Sequence, residues 1–109
     1  MMVIDIPVPP STNKLFVNVP GRGRVKSSEY RKWRDTAGRS IQSQPHAKVP
    51  GRVSITIEVR RGRGDIDNKV KAVLDLLVLH RLIDDDKHVE SVTARWSDVD
   101  SCRVTVEAA

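Results

Sequence analysis

The sequence predicts a small α/β domain of the α+β type, residues 1–109, in which a mixed sheet packs against two main helices. Three observations lead there. The chain is 109 residues long, which is the size of one hydrophobic core and leaves no room for a second. Val53, Ile55, Ile57 and Val59 alternate with Ser54, Thr56 and Glu58, the period-two pattern of a strand with one covered face. Val70, Val73, Leu74, Leu77 and Val78 then recur at helical spacing.

Taken in order, Val3, Ile4, Ile6 and Val8 start an extended segment that must stop at Pro9-Pro10, where two residues in succession lack a ladder donor. Pro10-Ser11-Thr12-Asn13 reads as a turn. Leu15–Val17 and Arg24–Lys26 flank Pro20-Gly21-Arg22-Gly23, a short basic hairpin or loop whose glycines allow close approach of backbone to a phosphate. Lys14 and Arg24 of this region are candidate DNA contacts. Ser27 or Ser28 caps a helix through about Ile41, with Tyr30, Trp33, Ala37 and Ile41 on one face and Arg31, Lys32, Arg34 and Arg39 on the other. Gln42–Gly51, with Pro45 and Pro50, is a connecting loop. The strand over Val53–Val59 leads through Arg60-Arg61-Gly62-Arg63-Gly64 to a helix from about Asp67 to Leu79. A loop over Ile83–His88 follows. Val92, Ala94 and Trp96 are expected to form a hairpin with Cys102, Val104 and Val106, turning at Ser97–Ser101.

The charge is divided along the chain. The net charge is +5 and the isoelectric point is about 9.8, which favours a polyanionic partner, nucleic acid first among them. Residues 1–63 hold 13 basic and 4 acidic side chains, whereas residues 64–109 hold 6 and 10. A basic binding module has no need of the second half. A metal-dependent nuclease needs both, cations for the phosphates and clustered carboxylates for the metal. The single cysteine, Cys102, forms no internal disulfide, and the three histidines make no zinc set at a known spacing. No apolar run is long enough to span a membrane and Met1–Pro10 lacks the pattern of a signal peptide, so a cytoplasmic protein with no membrane partner is expected. No P-loop, dinucleotide fingerprint or nucleophile elbow is present.

Asp65-x-Asp67 sets two carboxylates at the strand-to-helix junction, and Asp84-Asp85-Asp86 offers a third from the far end of the same unit. Three carboxylates repel one another unless a cation joins them. Mg²⁺ takes such a set together with waters and phosphate oxygens, and can activate water beside a phosphodiester. Two plainer roles stand beside this one: an Asp at a helix start serves as a cap and dipole partner, and an Asp triplet is a solvated loop. Lys71 lies one helical turn after Asp67 and one before Asp75, suited either to surface ion pairs or to stabilising charge on a departing oxygen. Arg60, Arg61 and Arg63 directly precede the carboxylates, so a DNA backbone held there would pass them.

Pro9-Pro10-Ser11-x-Asn13, Arg63-Gly64-Asp65-Ile66-Asp67-Asn68 with Lys71 following, and Ile83-Asp84-Asp85-Asp86-x-x-Val89 together resemble the RusA family of Holliday junction resolvases, in order and over nearly the whole chain. The resemblance implies a small mixed α/β fold acting as a homodimer, with Mg²⁺ (Mn²⁺ as a substitute) to nick four-way DNA junctions in pairs during recombination and repair. It places metal ligands on Asp65, Asp67 and Asp86, with Asp84 and Asp85 competing for the last position, and a catalytic lysine on Lys71. Two departures from the family pattern are visible: Gly64 between the arginines and Asp65, and Leu82-Ile83 where an aromatic pair is common. The competing functions are a non-catalytic DNA-binding protein on the same fold and a nuclease for a broader range of branched DNA.

Overall fold

Six strands and two helices, described over residues 1–109 in a computed structural model, run in the order β1 (Met2–Ile6), β2 (Phe16–Val19), β3 (Gly23–Lys26), α1 (Ser28–Gln42), β4 (Val53–Arg60), α2 (Val70–Leu79), β5 (Val89–Ser97) and β6 (Cys102–Ala108). Short 3-10 turns occupy Thr12–Lys14, Ile66–Lys69 and Asp86–His88. The main sheet has the order β1-β6-β4-β5, and β2 and β3 form a separate antiparallel hairpin. β4 and β5 are parallel, a pairing that needs a long crossover, and α2 supplies it.

The alternation in β4 sets the layering. Val53, Ile55, Ile57 and Val59 are buried with Ile4, Ile6, Val104 and Val106 against Tyr30, Trp33, Ala37 and Ile41 of α1 and Ala72, Val73, Leu76 and Leu77 of α2. Ser54, Thr56, Glu58 and Arg60 face the other way, where no helix covers the sheet. On that open face Arg103 donates to Asp5 (3.0 Å), and Glu58 accepts from Ser97 (2.9 Å) and Arg95 (3.3 Å). α1 starts where its cap residue allows: the Ser27 hydroxyl accepts from Tyr30 N (3.1 Å) and donates to the Lys14 carbonyl (2.6 Å). The Trp33 indole donates to the Pro7 carbonyl (3.0 Å), which pins the proline segment over α1.

The expected hairpin of the last two strands does not form. β6 lies between β1 and β4, antiparallel to both, while β5 sits on the opposite side of β4. This arrangement gives β4, the strand with the most buried side chains, a ladder partner on each edge. β5 also begins at Val89, three residues before the first expected position, and carries a register shift at its start, where Val53 pairs with Val89 and Ser54 with Ser91. β1 ends at Ile6, and α2 starts at Val70 because Ile66–Lys69 winds as a 3-10 turn first.

The two edges of the sheet differ. At β1, Asp5 N donates to the Gln44 side chain (2.9 Å), and its carbonyl accepts from Gln44 Nε2 (2.7 Å) and Ser40 (2.8 Å), so Ser40 of α1 and Gln44 just beyond it cover this edge at Asp5. The outward backbone groups of β5 have no hydrogen-bond partner in the chain.

The crossover is anchored at its lower end by Asp84, which pairs with Lys48 and accepts from Gly51 N (3.0 Å). The bond from Lys48, then the Gly51 N–H, hold its carboxyl below the ordinary carboxylate value. A depressed folded pKa stabilises the fold fully above the unfolded value of about 3.9 and ceases to do so as the pH falls through the folded one. Urea midpoints of the parent and of Asp84→Asn should therefore differ at neutral pH and converge in acid; an equal gap at both would refute the linkage.

Candidate active site

Beyond β4 the chain makes a sharp turn at Gly64, whose φ of +86° is a left-handed conformation that an L side chain adopts only under strain. This accounts for the glycine between the arginines and the carboxylates. Asp65 follows with extended backbone, then the 3-10 turn over Ile66–Lys69. Ile66 packs on the core and fixes the turn, while Asp65 and Asp67 on either side of it are exposed. Neither carboxylate caps the turn or joins an ion pair or hydrogen bond within the chain. The plain capping role is thus not the one they play.

Two contacts tie this turn to the N-terminal segment. Thr12 Oγ1 donates to the Asn68 carbonyl (3.0 Å) and Lys69 Nζ donates to the Pro9 carbonyl (3.1 Å). A cleft of about 330 Å³ opens between them, lined by Pro9, Pro10, Ser11, Lys14, Arg63 and Lys69 together with Val8, Glu29 and Trp33. The proline motif, Lys14 and Arg63, far apart in sequence, thereby share one cationic wall. Lys69 was not evident as a member of it: its only sequence signal is its place two residues after Asp67. A larger cleft of about 710 Å³, lined by Arg31, Arg34, Arg39 and His80, lies between α1 and the end of α2, away from Asp65 and Asp67.

The remaining cations take separate positions. Arg61 lies over the Trp96 ring (5.7 Å to its centre) and Arg24 over Phe16 (4.6 Å), arrangements that hold the guanidinium while leaving it open to an anion. Arg60 belongs to the uncovered face of the sheet. Lys71 pairs with Asp75 at 3.5 Å and makes no bridge to Asp67, so one of the two expected i,i+4 pairs is present. If Arg61 contacts a DNA phosphate, Arg61→Ala should weaken binding across all sequences and lower the slope of log K against log salt by about 0.9. A titration with unchanged affinity and slope would remove this arginine from the interface.

The aspartate triplet lies elsewhere. Val53 pairs with Val89 at the start of the parallel strands and Arg60 with Ser97 at their finish. The triplet precedes Val89 and Asp65-x-Asp67 follows Arg60, so they lie at opposite ends of α2, a helix of 10 residues and about 15 Å. Asp84 is engaged with Lys48, and Asp85 caps the turn at Lys87 N (3.0 Å). Asp86 opens that turn with no cationic partner. No three acidic, histidine or cysteine side chains in the chain stand close enough to hold one metal ion. A single chain therefore does not bring Asp65, Asp67 and Asp86 to one cation. His80 lies against Gly38, where a β-carbon would come within 3.1 Å of its ring, and burial lowers its pKa; His88 packs with its Nδ1 unpartnered.

No helix is long and apolar enough to cross a membrane. None of the curated proteins matches the sequence at a significant level. A family profile described as Endodeoxyribonuclease RusA matches residues 5–108, which takes in the proline segment, both carboxylate groups and all of the sheet except the first three residues of β1. With its two helices on one face of a mixed sheet and this match along nearly its whole length, the chain belongs to the RusA endodeoxyribonuclease family.

Proposed function

We propose that this protein is a Mg²⁺-dependent endonuclease, with Mn²⁺ able to substitute, that resolves four-way DNA junctions by paired nicks as a homodimer of one-domain chains. The observation that carries the reading is the pair of unneutralised carboxylates, Asp65 and Asp67, fixed by Ile66 directly after a cationic loop in a chain of the RusA family. Arg61 and Arg63, with Lys14 and Lys69 across the cleft, hold the phosphate backbone so that it runs past the carboxylates. Arg24 and Arg60 contact flanking phosphates. Lys71, exposed one turn into α2, exchanges Asp75 for developing negative charge on the scissile phosphate. Two cuts on one junction require two sites, which is why a homodimer is the working unit.

Incubating the protein with a synthetic four-way junction and with a matched linear duplex, each with and without Mg²⁺, tests the reading. Symmetric nicks in the junction alone, and only with the cation, are expected. Binding without nicking under every condition would instead indicate a DNA-binding protein on this fold, and equal cutting of flaps and bubbles a broader nuclease.

A further inference from the structure

We propose that the cleft between α1 and the end of α2 is a docking site for an acidic segment of a partner protein that carries an aliphatic side chain. The proposal stands apart from the nuclease reading, because this cleft lies away from Asp65 and Asp67.

The cleft measures about 710 Å³, against about 330 Å³ for the one lined by the proline segment. Arg31, Arg34 and Arg39 line it, and none of the three joins an ion pair within the chain. Asp35 lies one helical turn from both Arg31 and Arg39 yet bridges neither. Helix stability does not account for these charges. Arg39, in the last turn of α1, suits the helix dipole, but Arg31 lies in the first turn, where the dipole opposes a cation. What the arginines share is the cleft.

The lining also offers an apolar foothold. Leu79, 49% exposed, is the one hydrophobic side chain in it, and Gly38 contributes only backbone. A second cleft of about 380 Å³ shares Arg34 and Leu79 and extends the surface to Val78 and Lys26, while its acid, Asp75, is already paired with Lys71. An extended chain crossing both can set carboxylates against the guanidinium forks and rest an aliphatic side chain on Leu79.

The same features disfavour DNA as the occupant. A double helix, whose major groove alone is about 12 Å wide, is too broad to seat in a cleft of this volume. A single strand binds by stacking its bases on aromatic rings. None lines the larger cleft, and in the smaller one Arg34 lies over Tyr30 while Arg24 lies over Phe16. A polypeptide with carboxylates is the match.

Fluorescence anisotropy with a short labelled peptide of aspartate and glutamate around a central leucine tests the site. Saturable binding that weakens with salt is expected, and exchanging the peptide's leucine for alanine should weaken it by about tenfold. Arg31→Glu/Arg39→Glu should cost about tenfold or more, whereas Lys32→Glu, on the same helix but outside the cleft, should change affinity by less than about twofold. All three side chains are exposed, so both variants keep the core, and both should nick a junction as the parent does. An absence of saturable binding, or an equal loss in Lys32→Glu, would overturn the proposal. So would equal affinity for the alanine peptide, which would mean that the cleft reads charge alone. Displacement of the peptide by unlabelled duplex, or loss of junction binding in Arg31→Glu/Arg39→Glu, would assign the arginines to DNA and refute the docking site.

Discussion

Asp67→Asn is expected to lower junction cleavage by about 10²-fold or more, the scale seen when one group aimed at a reacting centre is removed. Asparagine keeps the volume and leaves the 3-10 turn in place, because the Asp67 carboxylate makes no cap or ion pair whose loss would disturb the fold. What it removes is a negative charge on an exposed turn beside the cationic loop. Repulsion between that turn and a DNA phosphate falls with it, so junction affinity should hold or tighten as cleavage is lost. Parallel band-shift and nicking assays on one substrate separate the two effects. An Asp67→Asn protein that cuts at the parent's rate would exclude this carboxylate from the chemistry.

The second large effect concerns the sheet. Ile57 has no exposed surface and sits at the middle of β4, paired with Val104 on one side and Ala94 on the other. Ile57→Ala removes buried methyl groups where both neighbouring strands are held by ladders and cannot close the gap, and should cost about 2–5 kcal/mol. That is a large share of the roughly 5–15 kcal/mol that holds a typical domain together. Val3→Ala, 42% exposed on the edge strand β1, should stay within about 0.5 kcal/mol. Urea unfolding of both proteins checks the contrast, and equal midpoints would show that the core is not centred on β4.

Local signals were legible where local chemistry decides the structure. The alternation over Val53–Val59 gave the central strand because one face of that strand is covered and the other is not, and Ser27 marked the start of α1 because its hydroxyl is the acceptor the first turn requires. The hairpin reading failed because strand partners are chosen by long-range burial. The short Ser97–Ser101 connection is compatible with a hairpin, but β4 offers a better-buried neighbour to each of the two strands. At the site, Asp65, Asp67 and Arg63 were legible as a continuous stretch, and the structure adds Lys69 through a bond to Pro9, 60 residues away in sequence. The place of Asp86 at the other end of α2 follows from the parallel crossover, which no spacing within the triplet reveals.

The hydrogen bonds from Ser40 and Gln44 to Asp5 limit strand addition at one edge of the main sheet. A sheet with two open edges adds chains without limit, whereas a sheet with one can add a single neighbour and then presents only closed sides. Strand addition at β5 alone would therefore have a valency of one and end in a pair. Replacing both Ser40 and Gln44 with residues that cannot reach Asp5 would free that edge, and strand addition at both edges of the sheet would then be able to repeat into filaments.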